Sequence, residues 1–199
     1  IDGVQVAALV ERGRVEEIAL DRAPGLGEET SPRYGAVYRA TCETLRKGLG
    51  AFLRLTPGQS GFLQAGARGK PADAGESLIV QVKAEGERIA LHEHGGKAAV
   101  VSREVALAGR FLVHLPVSRG LKQSKRLTDF TLKDQLAEPL SGLAGGFVLR
   151  QSAGGATETA IVSEARRLVA EATPLGESRA GLLLPATPAL RRLLSDHPA

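Results

Sequence analysis

Histidines are the first residues of this 199-residue chain that could hold a metal ion or move a proton. His92 and His94 are one residue apart, and in a strand that spacing places both imidazoles on one face, as in some metal sites. No third ligand stands nearby, and the following Gly95-Gly96 is typical of a hairpin turn. His114 lies in an apolar stretch, where a packed or interface histidine is the commoner role. The pattern favours a hairpin over a metal site.

Other catalytic patterns are missing from the printed sequence. Ser60, in Gly58-Gln59-Ser60-Gly61, does not match the G-x-S-x-G nucleophile elbow, and no dinucleotide or P-loop glycine motif joins a strand to a helix. No carboxylate pair is spaced to hold Mg²⁺, because the acidic residues are typical of solvated faces. The single Cys42 can form neither an internal disulfide nor a paired-thiolate zinc site. The residues alone therefore predict no catalytic residue and no metal site.

Basic residues are concentrated in one region. Net charge is +4, but residues 105–150 hold 7 basic and 3 acidic side chains, whereas residues 1–33 hold 4 basic and 7 acidic ones. Five of the basic residues follow one another with no acid between them: Arg110, Arg119, Lys122, Lys125 and Arg126. Such a cluster is expected of a surface that meets polyanions, and the alternative is a basic loop that binds nothing.

Aromatic residues are scarce, with 5 Phe, 2 Tyr and no Trp. Phe52 and Phe62 fall on two consecutive predicted strands. Exposed aromatics on small barrels stack the bases of single-stranded nucleic acid, and Lys47, Arg54 and Lys97 are candidates to follow its backbone. The competing interpretation places both rings in the core, and the usual distribution of aromatic residues favours that interpretation.

The elements that would position these residues form a β-rich module followed by an α+β module. A hairpin is predicted over residues 4–10 and 14–20. Five short apolar strands separated by turn residues then predict a small five-stranded barrel: residues 36–45, 51–55, 61–64, 78–84 and 98–102. The 24% content of charged residues and the lack of an apolar run near 18 residues exclude a membrane protein, and the cytoplasm is the expected location.

The second predicted module follows the barrel. Its predicted strands cover residues 109–115 and 146–150, with a helix over residues 129–140 that Pro139 helps to end and a turn over residues 152–155. A longer helix over residues 157–172 has an apolar face at the 3.6-residue period, formed by Ile161, Ala165 and Leu168 among others. A strand over residues 181–184 and a short helix over residues 187–194 complete the prediction.

The order of these pieces resembles the N-terminal half of the RNase E/G family of bacterial endoribonucleases. The likeness begins with Gly35-Ala36-Val37-Tyr38-Arg39, Lys47-Gly48-Leu49-Gly50-Ala51-Phe52-Leu53 and Gly61-Phe62-Leu63, with the family's ten-residue gap between Phe52 and Phe62. It continues through residues 75–82, 96–99, 107–116, 124–127 and 146–150. The match covers nearly the whole chain in the correct order, although each motif is short.

The resemblance implies an RNase H-like domain that two insertions divide. Its first part would be residues 1–33, an S1 barrel of the OB type would span 34–104, a 5′-sensor domain 105–178, and the returning RNase H-like part would begin in residues 179–199. The family's S1 aromatics and a lysine contact single-stranded RNA, which implies RNA binding by Phe52, Phe62 and Lys97. Lys125 and Arg126, in the basic cluster, are further candidates for RNA contact.

The family's sensor pocket binds a 5′-monophosphate. The positions that the resemblance implies for it are Gly109, Val113, Arg150 and Gln151. Gln151 departs from the family, which has Thr there, so its longer side chain fills a different space. Arg150 retains the capacity for a charge-assisted, bidentate phosphate contact.

The family's catalytic domain holds Mg²⁺ and is commonly followed by a zinc-link, and neither matches a stretch of these 199 residues. The resemblance thus implies the RNA-binding portion of an endoribonuclease whose cleavage site lies elsewhere in the polypeptide, and a homo-oligomer is possible because the family forms dimers and tetramers. The alternatives are a non-catalytic RNA-binding adaptor or regulator derived from this family, and a partner-binding protein with no RNA role.

Overall fold

The computed structural model describes residues 4–22, 32–66, 71–86, 97–188 and Leu193. Backbone contacts divide the chain into two units, each described separately below. The first, which we call the barrel unit, comprises Glu29–Val105 with Ala172–Ala186, and the second, the helical unit, comprises Ile1–Glu28, Ala106–Glu171 and Thr187–Ala199. Within the described residues, no helix has the length and apolar character needed to cross a membrane.

Twelve strands and two α-helices are assigned in the described residues. The strands are β1 (Val4–Glu11), β2 (Arg14–Arg22), β3 (Val37–Arg46), β4 (Gly50–Thr56), β5 (Gln59–Gln64), β6 (Ser77–Ala84), β7 (Ala99–Ser102), β8 (Leu107–Ala108), β9 (Leu112–Leu115), β10 (Gly120–Gln123), β11 (Gly146–Leu149) and β12 (Gly181–Leu184). The helices are α1 (Thr131–Ser141) and α2 (Glu158–Glu171), and 3₁₀ turns cover Gln151–Gly155 and Thr173–Gly176.

The barrel unit is a closed, five-stranded mixed barrel. Its strands follow the order β3-β4-β5-β7-β6, and β6 pairs back with β3 to close the ring. The β5–β7 pairing is parallel, and the other pairings are antiparallel. This closed arrangement is OB-like and confirms the five-stranded barrel that turn spacing predicts.

Strict alternation of side chains fills the barrel. Along β4, Ala51, Leu53 and Leu55 are buried, whereas Phe52 and Arg54 between them are exposed. The core gathers the inward residues of every barrel strand with a few neighbours: Ala36, Tyr38, Ala40, Cys42, Ala51, Leu53, Leu55, Leu63, Ala72, Leu78, Val80, Val82, Ala99 and Val101. Period-two patterning is what one sheet face on a core requires.

One glycine is dictated by close packing at the β3–β4 turn. Gly50 has φ +146°, and a Cβ built there would lie 2.2 Å from the carbonyl oxygen of Leu63 on β5. Only glycine allows β4 and β5 to approach this closely at the end of their ladder. The site residues discussed below lie two residues further along the same strands.

A sixth strand extends the barrel sheet. β12 pairs antiparallel with the start of β3, with Leu182 opposite Tyr38. Arg39 fastens the preceding turn, because its Nε donates to the carbonyl of Glu177 (2.7 Å) and its Nη2 to that of Leu175 (3.2 Å). The predicted strand over residues 181–184 is therefore confirmed as a partner of β3, whereas the RNase H-like assignment of residues 179–199 stays a prediction.

The helical unit contains a four-stranded sheet in the order β10-β11-β9-β8, and both helices contact it. β10 and β11 are parallel, and the remaining pairs are antiparallel. Helix α2 buries Ile161, Ala165 and Leu168, which confirms its predicted apolar face. Asp129 supports the start of α1 by accepting hydrogen bonds from the amides of Thr131 (3.0 Å) and Leu132 (3.2 Å).

The same unit includes the N-terminal hairpin of β1 and β2, which are antiparallel as predicted. A small cluster of Ala19 and Leu193, with Ala7 and Leu9 against it, lies on one face. The opposite face leaves several large apolar side chains exposed: Val6, Val10, Val15, Ile18 and Leu20.

Three local predictions for this unit are wrong. The strand expected over residues 109–115 is broken, because Gly109–Phe111 turn between β8 and β9. Pro139 does not end α1, which runs to Ser141 with the proline inside it. The basic stretch is not all loop, since β10 contains Lys122 and pairs with β11. The helix predicted over residues 187–194 lies outside the described residues except for Thr187, Pro188 and Leu193.

His114 is buried in the helical unit, as its apolar setting predicts. Its ring stacks on Phe147 at 4.9 Å between centroids, and Nδ1 lies 3.3 Å from the carbonyl oxygen of Gly146. Burial lowers the pKa of His114, and the contact with that carbonyl only partly offsets the effect. The folded state therefore favours the neutral imidazole of His114. In the unfolded chain the same imidazole takes up a proton once the pH falls below the ordinary histidine pKa.

We expect acidification below about pH 6.5 to destabilise the helical unit, by up to about 1.4 kcal/mol per pH unit down to the lowered pKa of His114. The measurement is the free energy of unfolding against pH for the parent and for His114→Gln, which keeps a hydrogen-bonding amide but does not titrate. The variant should lose the contribution of His114 to the slope below pH 6.5. Equal slopes in both proteins would contradict the prediction. Glu76 and Asp129, whose lowered pKa values arise chiefly from hydrogen bonds to the Asp73 amide and the Thr131 hydroxyl, act at lower pH.

Candidate nucleic-acid interface

Phe52 and Phe62 form a pair on the outside of the barrel. They are direct cross-strand partners on β4 and β5, with ring centroids 5.0 Å apart and a 50° angle between the planes. Phe52 is 37% exposed, and Phe62 is half-buried, so neither ring belongs to the core. The interpretation that places both rings in the core is wrong, because their strand neighbours Ala51, Leu53 and Leu63 occupy the interior.

The pair lies in the middle of a row that crosses four strands. Thr44 on β3 is the partner of Phe52, and Val100 on β7 is the partner of Phe62. Thr44 is exposed, and Val100 is half-buried. An aromatic pair flanked by a hydroxyl and a small apolar residue forms a platform that can accept the faces of planar rings.

Three basic residues lie on or near the strands of this platform, and they differ in their partners. Arg54 is two residues from Phe52 on the same face, but its Nε contacts Glu43 Oε1 at 2.6 Å with both side chains about half exposed. Lys97 is exposed and lies two residues before β7, and Lys47 is exposed in the β3–β4 turn. Of the three cations proposed to follow a backbone, Arg54 is the one with a carboxylate partner among the described residues.

The proposed phosphate-binding residues lie in the helical unit, and the structure brings two of them into direct contact. Arg150 Nη1 donates to the carbonyl of Gly109 at 2.7 Å, and the Arg150 amide donates to the carbonyl of Phe111 at 2.8 Å. Gln151 follows as an exposed residue that opens a 3₁₀ turn. Val113 lies on β9 opposite Val148, half-buried in the sheet.

A largely buried carboxylate accepts hydrogen bonds from the backbone amides of the same turn. Glu164, on α2, accepts hydrogen bonds from the amides of Arg110 (2.7 Å), Phe111 (2.7 Å) and Leu112 (3.1 Å), and its side chain is only 11% exposed. Successive amides that converge in this way form an anion-binding concavity. A Cβ on Gly109 would lie 2.5–2.7 Å from the carboxylate, so the turn needs glycine there.

Sequence reasoning missed Glu164. Its partners are 52–54 residues away in the chain, and its spacing on α2 resembles that of any solvated helix residue. Arg167 beside it, with Nη2 3.6 Å from Glu164 Oε1, strengthens the impression of an ordinary i,i+3 surface pair. Only the pairing of β8 with β9, which creates the turn, reveals its role.

The basic cluster is exposed along β10 and the turn after it. Arg119, Lys122, Lys125 and Arg126 are all exposed, and none forms an ion pair with another residue in the described ranges. Arg110 is exposed at the turn that Glu164 holds, where its guanidinium lies 5.3 Å from the Phe111 ring. Lys122 is on a strand rather than in a loop, which restricts where its side chain can reach.

Metal ligands do not come together in the described part of the chain, where no three His, Cys, Asp or Glu side chains form a group. The carboxylates with defined partners are committed elsewhere, Glu43 to Arg54, Glu76 to Arg103 and Glu164 to amides. The Mg²⁺ that the resemblance implies belongs to a catalytic domain that matches no stretch of these residues, and it stays a prediction. His92 and His94 lie outside the described residues.

Neither known family models nor curated proteins match this chain. The resemblance to the RNase E/G family therefore stays a prediction from the quoted motifs.

We expect Glu164→Ala to lower the free energy of unfolding of the helical unit by about 2–4 kcal/mol, because three amides lose an ionised acceptor. Glu164→Gln keeps an acceptor oxygen without the charge and should cost about half as much. Chemical denaturation gives these values, and hydrogen exchange should show faster exchange of the Arg110–Leu112 amides. Glu158→Gln, an exposed residue in the first turn of the same helix, is the matched control. Equal stability of Glu164→Ala and this control would refute the role.

Proposed function

We propose that this chain is an RNA-binding portion of an RNase E/G-type endoribonuclease, and that its barrel holds single-stranded RNA on Phe52 and Phe62. The observation that carries the proposal is the outward-facing aromatic pair in register on β4 and β5 of a closed OB-like barrel. Barrels of this kind bind single strands by stacking bases on exposed aromatic rings. The ordered motif resemblance supports RNA as the nucleic acid.

Stacking suits the pair better than a packing role. A core ring would gain more by complete burial, yet Phe52 keeps 37% of its surface exposed beside smaller residues that are fully buried. Contact with a base covers this surface and adds aromatic interaction energy. Lys97 and Lys47 are then the barrel cations for the phosphates, while Lys125 and Arg126 offer a second basic surface in the helical unit.

The proposed role in RNA processing or decay is binding, not bond cleavage. The resemblance implies that the Mg²⁺-dependent hydrolysis of such an enzyme takes place in a separate catalytic domain. An adaptor derived from the same family would share the binding surface. The sequence that follows Ala199 in the gene distinguishes the two, because an acidic Mg²⁺ site there favours the nuclease.

We expect Phe52→Ala and Phe62→Ala each to weaken binding of a single-stranded RNA oligonucleotide by about 1–3 kcal/mol, or about 5- to 150-fold. Fluorescence anisotropy with a labelled oligouridylate measures the dissociation constants. The matched control is Phe130→Ala, which removes a ring that is 79% exposed in the helical unit and should leave affinity unchanged. If both barrel variants bind as tightly as the parent, the stacking role is wrong.

We propose that Arg150 and Gln151 contact a 5′-monophosphate. The parent should then bind 5′-monophosphate RNA about tenfold more tightly than 5′-hydroxyl RNA, because a charge-assisted hydrogen bond contributes about 1.5–3 kcal/mol. Arg150→Lys and Gln151→Ala should reduce this ratio. The ratio is the informative quantity, since Arg150 also holds Gly109 and its loss would affect both RNAs through the fold. Equal affinities of the parent for the two RNAs would remove both residues from this role.

A further inference from the structure

A cavity opens at the end of the barrel where β3 turns into β4. Its volume is about 400 Å³, within the range of small-molecule sites. The described residues that line it all belong to the barrel unit and combine apolar walls with basic side chains. The lining residues are Leu45, Arg46, Lys47, Gly48, Gly50, Ala51, Leu63, Gln64, Ala65, Gly66, Pro71, Ala72 and Arg103.

The cavity has an apolar wall and, separately from it, basic side chains. Ala51, Leu63 and Ala72 are apolar residues in the lining, so the wall they form is suited to an apolar group. Arg46 and Lys47 are exposed, and no acidic side chain is among the described residues that line the cavity. A ligand for this cavity therefore combines an apolar or planar body with a negative charge.

Arg103 adds a polar group on the inner side. Its guanidinium forms two hydrogen bonds with the carboxylate of Glu76, at 3.3 Å from Nη1 and 3.2 Å from Nη2. Its Nε is buried and has no hydrogen-bond partner among the described residues.

The cavity adjoins the stacking pair. Gly50 and Gln64, both in its lining, are cross-strand partners two residues along the ladder from Phe52 and Phe62. Residues two apart in a strand are about 7 Å from each other, which is short enough for neighbouring nucleotides of one strand. A strand that is stacked on the aromatic pair and continues toward Gly50 and Gln64 therefore reaches residues that line the cavity.

We infer that this cavity binds one nucleotide, with its base against the apolar wall of Ala51, Leu63 and Ala72 and its phosphate at Arg46 and Lys47. A nucleotide has both the planar body and the negative charge that the lining calls for. The inference rests on the proposed function only in taking this nucleotide as the neighbour of those stacked on Phe52 and Phe62.

The test uses uridine 5′-monophosphate and adenosine 5′-monophosphate as probes, with calorimetry on the parent chain. Both monophosphates should bind at least tenfold more tightly than the matching nucleosides or inorganic phosphate alone, because each of these lacks half of the recognised group. Lys47→Ala should weaken monophosphate binding about tenfold, as expected for one charge-assisted contact. Ala65→Leu, at an exposed position in the lining, should weaken it by at least as much through added bulk.

Matched controls come from the exposed face of α1. Lys133→Ala removes a charge and Ala137→Leu adds bulk, both away from the barrel, and neither should change monophosphate binding. Phe52→Ala should weaken oligonucleotide binding and leave monophosphate binding intact, which separates this inference from the proposed stacking role. Absence of monophosphate binding by the parent, or equal effects of Lys47→Ala and Lys133→Ala, would overturn the cavity assignment whatever the oligonucleotide result.

Discussion

Closure of the barrel by the pairing of β3 with β6 determines which side chains of β4 and β5 face outward. Leu53 and Leu55 must enter the closed interior, so Phe52 and Arg54 between them must leave it. A register slip of one residue would bury the arginine and expose the leucines, at about 1.5–3 kcal/mol for each leucine. The aromatic pair is therefore a consequence of the aliphatic core beneath it.

Three arginines of the barrel unit form hydrogen bonds or ion pairs within the fold. Arg39 holds two backbone carbonyls, Arg54 pairs with Glu43, and Arg103 pairs with Glu76. The basic cluster of the helical unit differs, since its four residues from Arg119 to Arg126 are exposed and form no ion pair with residues in the described ranges. Each phosphate contact contributes a slope of only about −0.7 in single-strand salt dependence. The affinity of the barrel unit for RNA should therefore depend mainly on stacking. The affinity of the basic cluster for RNA should depend more strongly on ionic strength.

Local patterning explains what the sequence could and could not predict. The β1–β2 hairpin and the barrel strands follow from alternation and turn glycines, which neighbouring residues encode. β10 escaped prediction because it is short, basic and stabilised by parallel pairing with β11, 26 residues away. The break at Gly109 escaped it too, since the apolar alternation of residues 109–115 continues across the turn. The distribution of aromatic residues favoured the core for Phe52 and only the family resemblance implied an outward ring, while the cavity required the closed barrel to bring Ala72 and Arg103 beside Ala51.

The turn after β8 shows how a fold can use an anion site internally. Glu164 already holds the amides of Arg110, Phe111 and Leu112, and hydrogen bonds to a charged group contribute about 1.5–3 kcal/mol each. A phosphate that entered this concavity would have to displace the carboxylate and leave it buried near a like charge. An anion therefore gains more at side chains around the turn than at its amides. For this reason the 5′-phosphate proposal depends on the Arg150 guanidinium and the Gln151 amide, and Gly109 contributes by shaping the turn and accepting from Arg150 rather than by donating to the ligand.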